Sequence, residues 1–381
     1  ASDGTSPEFA FTENETNTQS LYGVESYTSY FKDGIERWIV NGDADAVNPE
    51  EKGTISAARY SLEVPANESV SIELRLFSQD EAPKQVFGNS FEQVFEKRIE
   101  EANAFFDSVS HTQLTEEEKR VERQAYGGLM WTKQFYHYSV HDWMRGDPDI
   151  SKPPKERLTG RNHGWEHLFN RDVISMPDKW EYPWYAAWDL AFHMIPLARV
   201  DPDFAKKQLI LFLREWYMHP NGQIPAYEWA LSDVNPPVHA WACLHVYRNC
   251  GDGCEGDISF LKKAFHKLML NFTWWVNRKD PQGNNLFAGG FLGLDNIGLF
   301  DRSQPMPNGY ALHQADGTAW MAFFCTTMLA IALEIAKHDS DYEDVASKFF
   351  EHFMNISAAM NRLGDGGLWD EKDGFYYDQI L

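Results

Sequence analysis

Two early stretches of the chain alternate between apolar and polar residues. Val70, Ile72, Leu74 and Leu76 alternate with polar neighbours, and Ala58, Tyr60, Leu62 and Val64 do the same just before them. A period of two puts one set of side chains on one face, as a half-buried strand requires. Pro65-Ala66-Asn67-Glu68 lies between the two runs. The pattern therefore predicts a β-hairpin with a four-residue connection. One hairpin and a few loose strands do not make a stable sheet alone. Residues 1–80 are thus expected to be the edge of a larger β-domain that begins before Ala1, or to pack against the next part of the chain.

The rest of the chain carries helical periods. Residues 81–112 are charged with a weak helical period and predict a linker helix plus a loop. Thr115-Glu116-Glu117-Glu118 fits a capping box, in which the first side chain and the fourth bond back to each other's backbone N–H. Val121, Ala125, Leu129, Thr132 and Tyr136 then mark one face of a predicted long helix. Asp201-Pro202 reads as an N-cap and a first-turn proline, followed by Ala205, Leu209, Phe212 and Trp216. Leu261, Phe265, Leu268, Phe272 and Trp275 mark another amphipathic helix, as do Val345, Phe349, Phe353 and Ile356. Thr318 to Glu334 is apolar nearly all round, which predicts a buried inner helix. No β run is read after about residue 80. Recurrent long helices suit concentric helix layers and exclude an alternating α/β sheet. No short solenoid repeat is evident. The loops from Gly160 to Tyr182 and from Asn277 to His313 are long, and long ordered loops usually carry function.

Composition narrows the function. A chain of 381 residues can hold two or three domains, and 43% hydrophobic residues argue for folding. Aromatics reach 15%, with 14 Trp, so either the core is unusually aromatic or some rings serve as platforms for sugars. A net charge of −23 speaks against nucleic acid and against anionic membrane surfaces, and suits a neutral substrate or simple solubility. The four cysteines, Cys243, Cys250, Cys254 and Cys325, are too few for a disulfide framework and lack further ligands for a metal site. A reduced, cytoplasmic setting is expected, with no cofactor and no metal. Sequons at Asn14, Asn67, Asn271 and Asn355 do not establish secretion. No signal peptide is visible, and no apolar run is read as long enough to span a bilayer. Gly374 to Leu381 resembles the entry to another element more than a tail.

Three constellations could carry chemistry. Tyr182-Pro183-Trp184-Tyr185-Ala186-Ala187-Trp188-Asp189 places a carboxylate in the early turns of a helix between two tryptophans. Such an Asp could accept sugar hydroxyls, or simply serve the helix dipole. Asn221-Gly222-Gln223-Ile224-Pro225-Ala226-Tyr227-Glu228-Trp229 is a turn decorated with polar and aromatic side chains. In the third, Gly289, Gly290, Gly293 and Gly298 surround Asp295, with Asn296, Asp301 and Arg302 nearby. Backbone could approach a ligand closely there, or the Asp could make local turn bonds. No P-loop, dinucleotide fingerprint, HExxH or Gly-x-Ser-x-Gly elbow occurs. His163, His167 and His193 could cluster, without further support for zinc.

From Asn162 to about Asp378 the chain resembles glycoside hydrolase family 63, in its mannosylglycerate hydrolase-like group. The matching segments are Trp188-Asp189-Leu190-Ala191-Phe192, Asn221-Gly222-Gln223-Ile224-Pro225, Asn235-Pro236-Pro237-Val238-His239-Ala240 and Gly293-Leu294-Asp295-Asn296. The resemblance implies a mainly α fold, an (α/α)6 barrel of the six-hairpin type, preceded by a β-sandwich. Residues 1–80 would then be the C-terminal part of the sandwich, 81–112 a linker helix, and 113–381 the N-terminal part of the barrel. It also implies an inverting α-glycosidase acting on a small carbohydrate. Asp295 matches the general acid. Asp189 matches a residue binding the sugar that is cleaved, and Trp184 and Trp188 match aromatics around it. Gln223 and His239 fall in pocket-rim elements, and Tyr227, Trp229, Asn296 and Arg302 are further candidates by proximity. Two departures stand out. Ile297 occupies a position that is usually Ser, and no general-base glutamate is matched before Leu381, since Glu371 reads as a turn residue. The rivals are a non-catalytic sugar-binding protein on a decayed fold and a purely structural helical scaffold. The enzyme reading needs Asp189 and Asp295 to face one cavity.

Overall fold

The computed structural model describes residues 6–110, 113–148, 151–178, 184–228, 231, 233–249, 257–280, 283–287, 306–362 and 367–380. The chain divides into two compact units, residues 1–107 with 147–152, and residues 108–146 with 153–381.

In the first unit, β1 (Glu8–Thr12) pairs antiparallel with β2 (Ile55–Arg59), from Glu8 opposite Arg59 to Thr12 opposite Ile55. Short helices α1 (Thr18–Tyr22) and α2 (Gly34–Asn41) follow β1, and α3 spans Asn89–Val109, within the stretch predicted as a linker helix. Ala10, Phe31, Ala46 and Phe91 form its small buried core. The predicted hairpin is not there. Its turn forms, since Glu68 N–H donates to Pro65 O at 3.2 Å and Asn67 takes a φ of +62°. The flanking strands do not: residues 60–78 carry no strand, and β2 pairs with β1 instead. Leu74 is 67% exposed and Leu76 fully exposed, so the alternation created an apolar face that no neighbouring strand or layer covers among the described residues. Without a partner's hydrogen-bond ladder a strand has nothing to hold it.

In the second unit, α4 (Glu116–Met130) begins with the predicted capping box. Glu118 N–H donates to Thr115 Oγ1 at 3.3 Å, and Thr115 N–H donates to the Glu118 carboxylate at 2.8 Å. The helix stops at Met130, short of the predicted face through Thr132 and Tyr136. The next residues form β3 (Lys133–Ser139), paired with β4 (Phe169–Ser175) over seven residues, before the short helix α5 (Val140–Arg145). This corrects the expectation of no β structure after residue 80. Phe135, Tyr136 and Tyr138 are strand-favouring residues, and their partner lies inside the long Gly160–Tyr182 stretch that reads as loop in the sequence.

Among the described residues six α-helices follow: α6 (Ala187–Val200), α7 (Pro202–Leu211), α8 (His239–Asn249), α9 (Ile258–Val276), α10 (Ala315–Ala336) and α11 (Tyr342–Met360). The described residues are mainly helical. α8 packs between α6 and α10, α7 lies against α6 and α8, and α9 lies against α8 and α10. α11 joins α9 through Phe349, whose ring lies 5.9 Å from Phe265 and 4.9 Å from Phe272. The expected buried inner helix is only partly met: α9 and α11, each with one apolar stripe, cover part of α10, while Ala319, Thr326 and Leu333 leave another face of it exposed. Asp201 caps α7 by accepting from Phe204 N–H at 3.1 Å, with Pro202 in the first turn. Contrary to the sequence expectation, one helix, α10, is long and apolar enough to cross a membrane, although 44% of that window is buried within the unit. Short strands β5 (Leu312–His313), β6 (Trp369–Asp370), β7 (Phe375–Tyr376) and β8 (Gln379–Ile380) pair as β5 with β8 and β6 with β7. Glu371 sits exposed in the turn between β6 and β7.

Candidate active site

Three of the four motif segments meet at one point. Ala187 N–H, in the first turn of α6, donates to Ala226 O at 3.0 Å. Trp188 N–H donates to Asn235 Oδ1 at 3.3 Å. A cleft opens between them, lined by Trp188, Ile224, the Asn235–Val238 stretch, His239, and Asn271 and Trp275 from α9. Its cavity measures about 30 Å³, room for a water or two.

The Asn221–Pro225 loop is fastened to α9 by its backbone. Gly222 has a φ of +94°, and a Cβ there would fall 2.3 Å from Leu270 O, so only glycine fits. Asn271 Nδ2 donates to Gly222 O at 2.8 Å and is itself 3% exposed. The sequon at Asn271 is therefore a packing residue of a buried helix face, not a surface loop. The sequence placed Trp275 on the apolar stripe of a helix and Asn271 in a sequon, and assigned neither to the site. The only signal was a polar residue set on the apolar stripe of α9.

The predicted site residues separate into distinct settings. Asp189 lies half-buried in the first turn of α6, although the helix begins at Ala187, later than Pro183 suggested. Burial raises the pKa of its carboxyl, and His193, one turn on, counteracts this. Burial lowers the pKa of His193, whose Nδ1 lies 2.8 Å from Ser175 Oγ. A half-buried carboxyl of raised pKa is chemically equipped to bind hydroxyls or to hold a proton, although Asp189 is not among the residues lining the cleft. Trp188 begins a row of rings across three helices: it lies 5.7 Å from Phe192, which lies 5.7 Å from Trp241, which lies 6.3 Å from Phe323. Phe192 is 40% exposed, so part of this row is open to contact. Trp184 is half-buried just ahead of α6.

Gln223 and Tyr227 brace the loop. Gln223 Nε2 donates to Leu231 O, and Tyr227 OH donates to Asp233 Oδ2. His239 lines the cleft, but its Nε2–H donates to Leu209 O at 2.8 Å. Burial lowers its pKa to about 4, so it stays neutral at ordinary pH. Trp229, Asp295, Asn296 and Arg302 lie outside the described residues.

One residue beside the loop went unselected in the sequence. Glu228 is 1% exposed, and burial raises its pKa to about 7. Tyr136 OH, from β3, donates to its Oε1, while Asn162 Nδ2 donates to its backbone carbonyl. Its Oε2 and the Tyr185 hydroxyl are buried without a partner among the described residues. Glu228 thus fixes the loop to β3 and to the Asn162 turn. A Glu inside Tyr-Glu-Trp, flanked by large rings, was the available signal. Among the described residues no cluster of three or more His, Cys, Asp or Glu could hold a metal ion.

Residues 182–296 match the family model described as the mannosylglycerate hydrolase MGH1-like glycoside hydrolase domain, and that span takes in the three segments of the cleft. Over this span the chain is glycoside hydrolase family 63-like. Among curated relatives, the mannosylglycerate hydrolase of Rubrobacter radiotolerans is 31% identical over 133 residues, 28% of this chain and 29% of its own length. An uncharacterized protein of Saccharomyces cerevisiae, YMR196W, is 49% identical over 403 aligned positions, covering 98% of this chain and 37% of that protein. The chain thus spans about a third of the length of these relatives. Among solved structures, the family 63 mannosylglycerate hydrolase of Thermus thermophilus in complex with Tris aligns at 15% identity. That alignment covers 55% of this chain and 64% of the other, with a TM-score of 0.42.

Proposed function

We propose that this chain forms part of an inverting glycoside hydrolase that cleaves an α-glucosidic or related α-glycosidic bond by acid/base catalysis. The observation that carries the reading is the convergence of Trp188, Ile224 and the Asn235–His239 segment on one cleft, with Asp189 next to Trp188 in the first turn of α6 though not itself in the lining. In this proposal Asp189 and Trp188 hold the sugar that is cleaved, with Trp184, Gln223, Tyr227, Trp229, His239, Asn296 and Arg302 around them. Asp295 is the general acid, and the general base is a glutamate supplied after residue 381 of the whole protein. Inversion requires the two carboxyl groups to stand roughly 6.5–9.5 Å apart so that a water fits between base and sugar. The substrate is a small neutral or glycerate-linked sugar, with glucosylglycerate, mannosylglycerate and oligosaccharides all compatible. No metal or other cofactor enters the reaction.

The test is hydrolysis of an aryl α-glucoside by the full-length protein and its Asp295→Asn variant. Loss of general-acid catalysis should lower kcat by roughly 10²–10⁴-fold while sugar affinity stays nearly constant. An unchanged kcat removes Asp295 from the role. A wild-type protein that binds glucose but hydrolyses no α-glycoside would favour the decayed, sugar-binding alternative.

A further inference from the structure

Away from the cleft, a groove lies between α7 and α9, on the first turns of α9 and not on the end that carries Asn271 and Trp275. Its volume is about 580 Å³, within the range of small-molecule sites. One ion pair of the lining ties its walls together, Lys206 Nζ to Asp257 Oδ2 at 2.8 Å, and outside the lining Lys267 Nζ pairs with Glu215 Oε1 at 2.8 Å. Both carboxylates are therefore already neutralised. The rest of the lining is cationic, with Lys207, Arg214 and Lys263, over an apolar floor of Ile210 and Phe260. Asp203, the other acid of the lining, lies 3.9 Å from Lys207 and is largely in water. Trp216 is 40% exposed at the groove, with the Arg214 guanidinium 5.9 Å from its ring centroid. In a chain of net charge −23, this concentration of positive charge runs against the field of the whole molecule.

We infer that this groove binds a small organic anion. Arg214, Lys207 and Lys263 hold its phosphate or carboxylate, Arg214 offering paired N–H donors, and its uncharged body packs against Trp216. The site is independent of the glycosidase reading, since it shares no lining residue with the cleft.

The experiment is titration calorimetry of the full-length protein with glucose 6-phosphate, glucuronate, inorganic phosphate and glucose, at low and high salt. Glucose 6-phosphate or glucuronate should bind, and whichever binds more tightly names the anion. The Arg214→Gln/Lys263→Gln double variant should weaken that binding at least about tenfold, as should high salt. Both side chains reach solvent, so the variant should keep its melting temperature. The Trp216→Leu variant should weaken the sugar anion and leave inorganic phosphate unchanged. Absence of binding by either sugar anion, or binding that survives the double substitution, overturns the site. Loss of glucose binding alone would strike the cleft and leave the groove standing.

Discussion

The stretch Val70–Leu76 and helix α9 carry equally regular apolar patterns, yet they have opposite fates. In α9, Leu261, Phe265, Leu268, Phe272 and Trp275 are all at most 2% exposed. In the first unit, Val70, Leu74 and Leu76 are 42%, 67% and 100% exposed, and no strand forms. The difference lies in where each element finds its hydrogen bonds. A helix satisfies its backbone within itself, so an apolar stripe has only to find a neighbour. A strand needs a second strand for its backbone and a layer for its side chains. Periodicity therefore tells which face will be apolar, but not what covers it.

The comparison makes burial, and not residue type, the measure of cost, and Phe272 offers the largest effect. Its ring lies 4.9 Å from Phe349, 5.3 Å from Phe324 and 5.6 Å from His352. Phe272→Ala leaves a cavity at the junction of α9, α10 and α11, and should cost about 3–5 kcal/mol in denaturant unfolding. A loss below about 1 kcal/mol would show that these helices are not packed as described.

Burial also decides the chemistry of a single glutamate. Glu228 has a folded pKa of about 7 against an ordinary value of 4.5. Because the folded value is the higher one, its stabilising contribution is complete below pH 4.5 and is lost as pH rises toward 7. The full swing is about 3 kcal/mol. Glu228→Gln cannot ionise and keeps an acceptor for Tyr136 OH. Relative to the variant, the wild type should lose about that much stability between pH 4.5 and pH 8, measured by urea unfolding at each pH. Parallel stability curves would mean that Glu228 titrates alike in the folded and unfolded chain, so that burial does not raise its pKa.

Much of this was legible in the sequence where one segment specifies its own structure. The capping box at Thr115, the Asp201-Pro202 helix start and the stripe of α9 all follow from local spacing, whereas the all-round apolar pattern of α10 did not tell which of its faces would stay exposed. The cleft was readable as a set of motifs, because Trp188, Ile224 and His239 sit in segments whose spacing resembles family 63. What escaped was pairing at a distance. β3 is absorbed into the α4 helical period because Tyr136 happens to fall on the face of Val121, and its partner β4 sits in a stretch that reads as loop. Glu228 and Asn271 escaped for the same reason: their importance comes from Tyr136, Asn162 and Gly222, which no local pattern connects to them. His239 shows the converse, a motif residue whose imidazole proves to be fastened to Leu209 O.

The smallest predicted effect is the sharpest check on the comparison. Leu76 has its whole side chain in water, so removing its apolar surface withdraws no buried contact. Leu76→Ser should change the stability of this chain by less than about 0.5 kcal/mol, the range of ordinary surface substitutions, whereas a leucine buried in α9 such as Leu268 would cost several times more. The measurement is the urea midpoint of wild type and variant under identical conditions, with the slope confirming that the unfolding transition is unchanged. A loss of about 2 kcal/mol or more, the scale of a buried leucine, would mean that Leu76 is covered in solution. The alternating run would then be a formed strand, and the contrast between the two units would dissolve into one rule in which both periods are met by a partner.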